Sequence, residues 1–332
     1  MRFIKYFPLL LVFIGIGLYF RPSPVEPIML SGQTMGTFYT IKINLHNKNN
    51  KLKDLVNLKL KLISKQMSVF DPQSEISRIN QAKAGIWMDI SSELSTVLKA
   101  ASEIYESSGG YFDPTVGNLV NIWGFGPKGI TKTPTDEQIR ETLDYTGFDK
   151  IEFSEDFKQL KKKDKRVYLN LSAIAKGYGV DKIAELLKGE GYKDFIVEIG
   201  GEVVATGSRN SSGEPWKIGI TTPESEETKL VIPLENMAVA TSGDYRNFRY
   251  SDSDSKKYAH TILPQTGYPV ENSLASVTVF HSTCMLADAY ATAVTTLGEE
   301  KGLEYADKNN LAVIMITHDD RVIYSREALK WK

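Results

Sequence analysis

Hydrophobic and polar residues repeat with two different periods along this chain. Residues 38–45 (FYTIKINL) alternate between apolar and polar side chains, which predicts a strand with one buried face. Apolar residues recur at helical spacing in 52–69, 92–107, 181–187 and 284–297, which predicts helices there. Further strands are predicted for the segments FIVEIGGEVVATG, WKIGIT, MAVATSG, SVTVF and LAVIMIT. Because helices and strands do not alternate regularly, the pattern favours an α+β fold over a βαβ series.

The first 25 residues have the pattern of an export or membrane segment. Arg2 and Lys5 precede the apolar run 7–20 (FPLLLVFIGIGLYF), which Arg21 and a proline-rich stretch close. Its length matches the apolar region of a signal peptide, but no A-x-A-like cleavage site follows. Counted from Phe3, the run approaches the length of a spanning helix. We expect a signal peptide or an N-terminal membrane anchor, with a buried core helix as the alternative, and the positive-inside rule places the remaining chain outside the cytoplasm.

The remainder, residues 28–332, contains no linker, low-complexity tract or internal repeat. We therefore expect mixed helices and sheets in one compact unit, built as one domain or as two intertwined subdomains. The hydrophobic content of 42% and the charged content of 24% are ordinary for a globular protein. A net charge of -1 gives no footprint for a polyanion, so nucleic acid is not an expected partner. The one cysteine, Cys284, excludes an intramolecular disulfide and cysteine-rich metal sites, and four histidines argue against a zinc cluster.

One familiar motif occurs in the wrong context. Gly124, Gly126 and Gly129 spell G-x-G-x-x-G, which in a dinucleotide-binding fold follows a strand and opens a helix. Here a polar loop rich in threonine and proline follows, so the segment is interpreted as a turn.

Two groups of charged residues are expected at the surface. The run 161–166 (KKKDKR) lies between the apolar segments IEF and VYLNL and is typical of a solvated hairpin tip. In VEIGGEVVATG, Gly200 and Gly201 allow close backbone approach, while Glu198 and Glu202 can be ordinary exposed strand residues.

Small residues around isolated polar groups indicate a ligand site. Asp288 and Thr292 stand four apart in the helical run CMLADAYATA, so both side chains project from one face. Two hard oxygen donors on one face suit Mg2+. The segments NLSAIAKGYGVD and SGQTMGTFY offer loops that suit a flat or phosphorylated ligand. His260 lies near a turn, where a lone histidine is more often structural than catalytic.

Taken in order from about Leu30 to the C-terminus, these segments resemble the FAD:protein FMN transferases, the ApbE-like flavin transferase family. The resemblance rests on TMGT, SRIN, GYFDPTVG, WGFG, AKGYGVD, VEIGGEV, ATSGDYRNF, H-x-I-x-P-x-TG-x-P and LADAYATA. It implies an ApbE-like fold and an enzyme that binds FAD with Mg2+. Such an enzyme transfers the FMN half of FAD to a threonine of a partner protein and releases AMP.

The resemblance also implies roles for individual residues. Contacts to the flavin and the nucleotide fall on Met35, Phe70, Tyr111, Phe112, Asp113, Asn170, Lys176 and Ile262. Phe70 replaces a usual tyrosine and keeps ring stacking without the hydroxyl. Asn170 stands where the family has an acid, and Leu263 replaces the aspartate of H-x-I-D-P.

The metal ligands implied by the resemblance are the Ala173 backbone carbonyl, Asp288 and Thr292. A threonine hydroxyl is a weak nucleophile, so a general base is useful, and His260 is the candidate.

Partners and compartment follow from the same resemblance. We expect the acceptor to be a subunit of a membrane redox complex, on the extracytoplasmic (periplasmic) face of the bacterial inner membrane. Three other functions stay open at this point: an FAD pyrophosphatase that gives FMN and AMP, a non-catalytic FAD-binding protein, and a membrane-tethered domain without flavin.

Overall fold

The computed structural model describes residues 27–44, 51–129, 132–221, 228–243, 248–250 and 256–332. The predicted export segment, residues 1–25, lies outside these ranges, as do residues 244–247 of the ATSGDYRNF segment. Among the described helices, none combines the length and the apolar character needed to cross a membrane.

The helices largely follow the predicted apolar spacing. In chain order they are α1 (Leu52–Met67), α2 (Glu75–Gln81), α3 (Ser92–Ser107), α4 (Gly117–Ile122), α5 (Asp136–Leu143), α6 (Ala175–Gly189), α7 (Cys284–Leu297) and α8 (Glu299–Lys308). Those predicted at 92–107 and 284–297 are confirmed to the residue. The helix predicted from Asp181 begins earlier, at Ala175. The sequence pattern does not predict its first turns because they contain Gly177 and Gly179, and glycine disfavours a helix.

The strands are β1 (Ile28–Thr34), β2 (Thr37–Ile43), β3 (Met88–Asp89), β4 (Ile151–Phe153), β5 (Gln159–Lys162), β6 (Phe195–Ile199), β7 (Glu202–Thr206), β8 (Trp216–Thr221), β9 (Thr228–Leu234), β10 (Met237–Gly243), β11 (Phe248–Tyr250), β12 (Lys257–Ala259), β13 (Leu274–His281), β14 (Ala312–Thr317) and β15 (Val322–Tyr324). Eight of them form one antiparallel sheet in the order β1-β2-β6-β7-β10-β13-β14-β15. The predicted α+β class is therefore confirmed.

The position of a strand in this sheet explains its hydrophobic pattern. In β2 only every second residue is fully buried, and Tyr39, Ile41 and Ile43 pack with α1 and α6 on one face. The central strand β13 is buried along almost its whole length because both of its faces are covered. Helices cover one face, whereas the β8–β9 ribbon and the C-terminal 3-10 turn cover the other.

The prediction for residues 161–166 is wrong at one position. Lys162 ends β5 and is only 2% exposed, and its Nζ donates to the carbonyls of Asn80 (2.7 Å), Lys165 (2.9 Å) and Val167 (3.1 Å). Burial lowers the pKa of the Lys162 ammonium to about 8. A buried ammonium is tolerated here because its three N–H groups all have acceptors.

The motif containing Gly124, Gly126 and Gly129 follows α4 rather than a strand, and Gly124 and Gly129 adopt positive φ angles of 84° and 58°. The interpretation of this segment as a turn agrees with the structure.

Helices α6 and α7 approach each other closely at Gly177. A Cβ atom added at Gly177 would lie 2.2 Å from the carbonyl oxygen of Cys284 and 2.8 Å from the amide nitrogen of Met285. Asp181, one turn further along α6, accepts the amide N–H groups of Cys284 (2.8 Å) and Met285 (2.9 Å). A carboxylate from a neighbouring helix thus caps α7, whose own N-cap residue Thr283 makes no side-chain cap bond.

We expect Gly177→Ala to destabilise the fold by about 1–3 kcal/mol or more, because the added methyl group meets backbone atoms that cannot rotate away. Gly189→Ala in the same helix is the matched control, since no atom lies within 4 Å of its added Cβ. That change should leave stability unchanged or raise it by up to about 1 kcal/mol. Thermal unfolding of both variants measures the difference, and equal melting temperatures would contradict the close-approach argument.

Candidate active site

Helix α7 presents the two oxygen donors that its sequence predicts. Asp288 is only 3% exposed and Thr292 lies one turn further on the same face. Alanines at 287, 289, 291 and 293 are fully buried and allow the helix to lie close to the sheet. The Thr292 hydroxyl lies 3.3 Å from the Ser242 hydroxyl of β10, so this face of α7 is turned towards the polar end of that strand.

Asp288 also accepts a backbone N–H group from the first turn of α6. Gly177 is the third residue of α6, so its N–H is one of the first N–H groups that have no acceptor within the helix, and it donates to Asp288 Oδ2 at 3.0 Å. Across the described part of the chain, no hydrogen bond to the Ala173 carbonyl is found. Asp288 thus satisfies an N–H group at the start of α6, while the Ala173 carbonyl in the preceding turn keeps its lone pairs available.

Lys176 and Glu202 complete the charged cluster. The Lys176 ammonium lies 2.7 Å from Glu202 Oε1 and 3.5 Å from Asp288 Oδ1. Burial lowers the pKa of Lys176, but the two carboxylates outweigh this effect and hold the pKa above its usual value. Burial raises the pKa of the Glu202 carboxyl, Lys176 opposes this shift, and Asp288 adds to it.

The expectation that Glu202 is an ordinary exposed strand residue is wrong, since its residual exposure is 3%, whereas Glu198 is exposed as expected. The two-residue turn of Gly200 (φ 64°) and Gly201 (φ 108°) joins β6 to β7 and pairs Glu202 with Ile199. Directly paired residues share one face of a sheet, and the face of Ile199 is buried. The sequence carries a signal for this register, because two adjacent glycines between two strands are typical of a two-residue hairpin turn.

The cluster suits a divalent cation. One ammonium and two carboxylates leave a formal charge of about -1 in a largely buried place, which a cation would offset. Oxygen donors from a carboxylate, a hydroxyl and a backbone carbonyl match the preference of Mg2+, which retains positions for phosphate oxygens. Within the described residues no group of three or more His, Cys, Asp or Glu side chains could hold a metal. A metal bound here would therefore need the neutral oxygen donors and the ligand.

The predicted flavin loop lies against α6 and the β6–β7 turn. Met35 (φ 49°) and Gly36 (φ 73°) form the turn between β1 and β2. Met35 packs on α6 at Gly179, where an added Cβ would lie 2.9 Å from Met35 Cε. The other side of the loop contacts the β6–β7 turn, because an added Cβ at Gly200 would lie 2.9 Å from Thr37 Cγ2.

Among the residues predicted to contact the flavin and the nucleotide, Tyr111 connects to the far end of α7. The Thr296 hydroxyl donates to the Tyr111 carbonyl at 2.8 Å, one turn beyond Thr292. Phe112 is buried in the core. Asp113 is also buried and accepts both the N–H and the hydroxyl of Thr115 through Oδ1 (2.7 and 2.6 Å). Burial raises the pKa of Asp113 to about 6, although the bonds from Thr115 oppose the shift.

Asn170 is held by its own turn. Its side-chain Oδ1 accepts the backbone N–H and the hydroxyl of Ser172 at 3.0 and 2.7 Å. The backbone N–H of Asn170 donates to the Pro114 carbonyl at 2.7 Å. The amide thus serves as a local hydrogen-bond acceptor and brings no charge. Asn80 of the SRIN segment holds the preceding residue, Leu169, through bonds to both its N–H (2.7 Å) and its carbonyl (2.8 Å).

The remaining predicted residues lie on other elements. Phe70 is 63% exposed in the turn after α1, so its ring is accessible for stacking. Ile262 is buried against Leu119 and Trp123. His260 is half-buried after β12, with its ring centre 6.4 Å from that of Phe125 and nearly perpendicular to it.

The structure thus places Lys176 beside Asp288, with Thr292 on the same face of α7, and links Tyr111 to that helix through Thr296. Ala173 lies just before the start of α6, in the turn that leads to Lys176. Sequence reasoning missed the roles of Asp181, Glu202 and Ser242. The roles of Asp181 and Ser242 depend on contacts between distant segments, for which the sequence carries no local signal.

Known proteins resemble this chain in both sequence and fold. Residues 35–315 match the ApbE family. The FAD:protein FMN transferase of Haemophilus influenzae is 40% identical over 316 residues, which cover 92% of this chain and 90% of that protein. The FAD:protein FMN transferase of Vibrio cholerae is 38% identical over 304 residues, which cover 90% of each.

Solved structures agree. The flavin transferase ApbE from Vibrio cholerae superposes with a TM-score of 0.85 at 36% identity, covering 93% of this chain and 100% of that one. The apo form of the Pseudomonas stutzeri flavinyl transferase ApbE gives a TM-score of 0.84 at 32% identity, with 93% and 98% covered. These matches confirm the predicted ApbE-like fold. The chain is therefore a transferase and belongs to the ApbE family.

Proposed function

We propose that this chain is a Mg2+-dependent FAD:protein FMN transferase that moves FMN from FAD to a threonine hydroxyl of an acceptor protein and releases AMP. The names of its relatives support the FMN transferase activity. One observation supports the cation and the phosphate chemistry: the buried Asp288 lies beside the Lys176 ammonium, with the Thr292 hydroxyl one turn further along the same face of α7.

The proposed cation ligands are the Ala173 carbonyl, Asp288 and Thr292. When bound there, Mg2+ would neutralise charge that develops on the pyrophosphate oxygens. Lys176 would place an ammonium at the same phosphates, since its Nζ lies 3.5 Å from Asp288 Oδ1. Met35 and Phe70 would contact the flavin, and Tyr111, Phe112, Asp113, Asn170 and Ile262 would hold the nucleotide.

In the proposed reaction the threonine oxygen attacks the phosphorus on the riboflavin side of the pyrophosphate. The bond from that phosphorus to the bridging oxygen breaks, and AMP leaves with the oxygen. His260 would accept the proton of the threonine hydroxyl, which is a weak nucleophile without a base.

The location is part of the proposal. The apolar run within residues 1–25 supports an N-terminal anchor or signal peptide before a catalytic domain of residues 28–332. The domain would then act on the extracytoplasmic face of the bacterial inner membrane, with a flavin-carrying subunit of a membrane redox complex as its acceptor.

Incubation with FAD, Mg2+ and an acceptor protein tests the activity. We expect the intact mass of the acceptor to rise by one FMN unit, with AMP released only when the acceptor is present. AMP and FMN released without an acceptor would identify a pyrophosphatase. FAD bound without AMP release would identify a non-catalytic binding protein.

We expect Asp288→Asn to lower the transfer rate at least about 10²-fold, because the charged donor of the proposed cation site is lost. The asparagine can still accept the Gly177 N–H, so the fold should survive. Glu198→Gln is the matched control, as it replaces an exposed carboxylate by an amide. An Asp288→Asn protein that transfers FMN at the wild-type rate would refute the cation assignment.

We expect His260→Ala to lower kcat by about 10²–10⁴-fold while the FAD dissociation constant changes little, because a general base acts only in the chemical step. His281→Ala serves as the control. His281 contacts Tyr290, which projects from the side of α7 opposite to Asp288. Rates come from single-turnover transfer and affinities from quenching of flavin fluorescence. Equal losses in rate and affinity would assign His260 to binding instead.

A further inference from the structure

The proposed reaction leaves one buried carboxylate without a role. Glu202 is 3% exposed, and its Oε1 accepts the Lys176 ammonium at 2.7 Å. Its other oxygen, Oε2, is buried and has no hydrogen-bond partner among the described residues. A buried carboxylate oxygen without a partner is costly, so a structural salt bridge alone does not account for this arrangement.

The Lys176 ammonium lies at unequal distances from its two carboxylate neighbours. Its ammonium is at hydrogen-bond distance from Glu202 but 0.8 Å further from Asp288, at 3.5 Å against 2.7 Å. An ammonium and a divalent cation compete for the same carboxylate oxygens, because each is attracted by the same negative charge. An ammonium held fully on Asp288 would occupy the donor that the cation needs.

The backbone hydrogen-bond register of the β6–β7 hairpin determines which face of the sheet the Glu202 side chain occupies. It is the first residue of β7, immediately after the Gly200–Gly201 turn, and its pairing with Ile199 turns it to the buried face. The residue after the Met35–Gly36 turn, Thr37, contacts Gly200 and so packs against the turn that precedes Glu202. The carboxylate can therefore hold a partner at a defined place near α6.

We propose that Glu202 is a positioning residue that holds the Lys176 ammonium away from Asp288 and so keeps that carboxylate open to a divalent cation. The inference rests on the proposed function, which places the cation at Asp288. With Lys176 held by Glu202, the ammonium and the cation can both face the pyrophosphate without sharing a ligand. Without Glu202, the strongest remaining anion within reach of Lys176 is Asp288.

Binding of Mn2+, as a probe for Mg2+, tests this role without an activity readout. Mn2+ is titrated into the full chain saturated with FAD and without acceptor, and free Mn2+ is followed by its electron paramagnetic resonance signal. We expect Glu202→Gln to raise the Mn2+ dissociation constant about tenfold or more. The double variant Glu202→Gln with Lys176→Met should bring it back towards the wild-type value, because the competing ammonium is gone.

The outcomes separate the alternatives. A double variant that stays as weak as Glu202→Gln would overturn the proposal and make Glu202 itself a cation ligand. Unchanged Mn2+ binding in Glu202→Gln would also overturn it. Thermal unfolding checks that each variant is folded; if Glu202→Gln does not fold, Lys176→Met alone should bind Mn2+ at least as tightly as the wild type, and weaker binding refutes the competition.

Two controls distinguish this inference from the proposed function. Asp288→Asn should abolish the Mn2+ site whatever the role of Glu202. A wild-type chain that binds no Mn2+ would refute both the cation site and the positioning role.

Discussion

The approach of α6 to α7 at Gly177 is the constraint on which the candidate active site depends. The two backbones meet so closely that no side chain fits between them, and this places the Gly177 N–H within reach of Asp288. The same contact lets Asp181 cap α7 from the neighbouring helix. Packing, the capping of α7 and the bond from Gly177 to Asp288 are thus consequences of one helix crossing. A larger residue at position 177 would disturb all three together.

The charges of the site are balanced locally and incompletely. Lys176 offsets part of the charge of two buried carboxylates, and each carboxylate is held by a different part of the fold, α7 for Asp288 and the β6–β7 turn for Glu202. The Met35 loop contacts both α6 and that turn. The loop is therefore connected to the charged cluster through α6 and the β6–β7 turn, the two elements that carry Lys176 and Glu202.

Local sequence patterns predict a large part of this arrangement, and most of the rest depends on long-range contacts. The spacing of Asp288 and Thr292 on an alanine-rich helix identified their shared face because helical periodicity is a local property. Glu202 was misjudged because its burial depends on the register across a two-glycine turn. The prediction for Lys162 is wrong because its burial depends on a distant segment: one of its three carbonyl partners is Asn80 of α2, 82 residues away, and the other two lie in the turn directly after β5. The early start of α6 was hidden because Gly177 is favoured by tertiary packing and disfavoured by helix propensity.

The one cysteine of the chain, Cys284, is buried at the contact between α6 and α7. Cys284 is fully buried at the start of α7, with its sulfur 3.7 Å from the Val239 carbonyl, and burial raises the pKa of its thiol well above the ordinary value. Such a thiol is shielded from alkylating reagents and is scarcely ionised at neutral pH. Cysteines introduced at the surface can therefore carry spin labels or fluorophores without removal of the native residue. The fold thus provides a natural background for measuring where an acceptor protein docks.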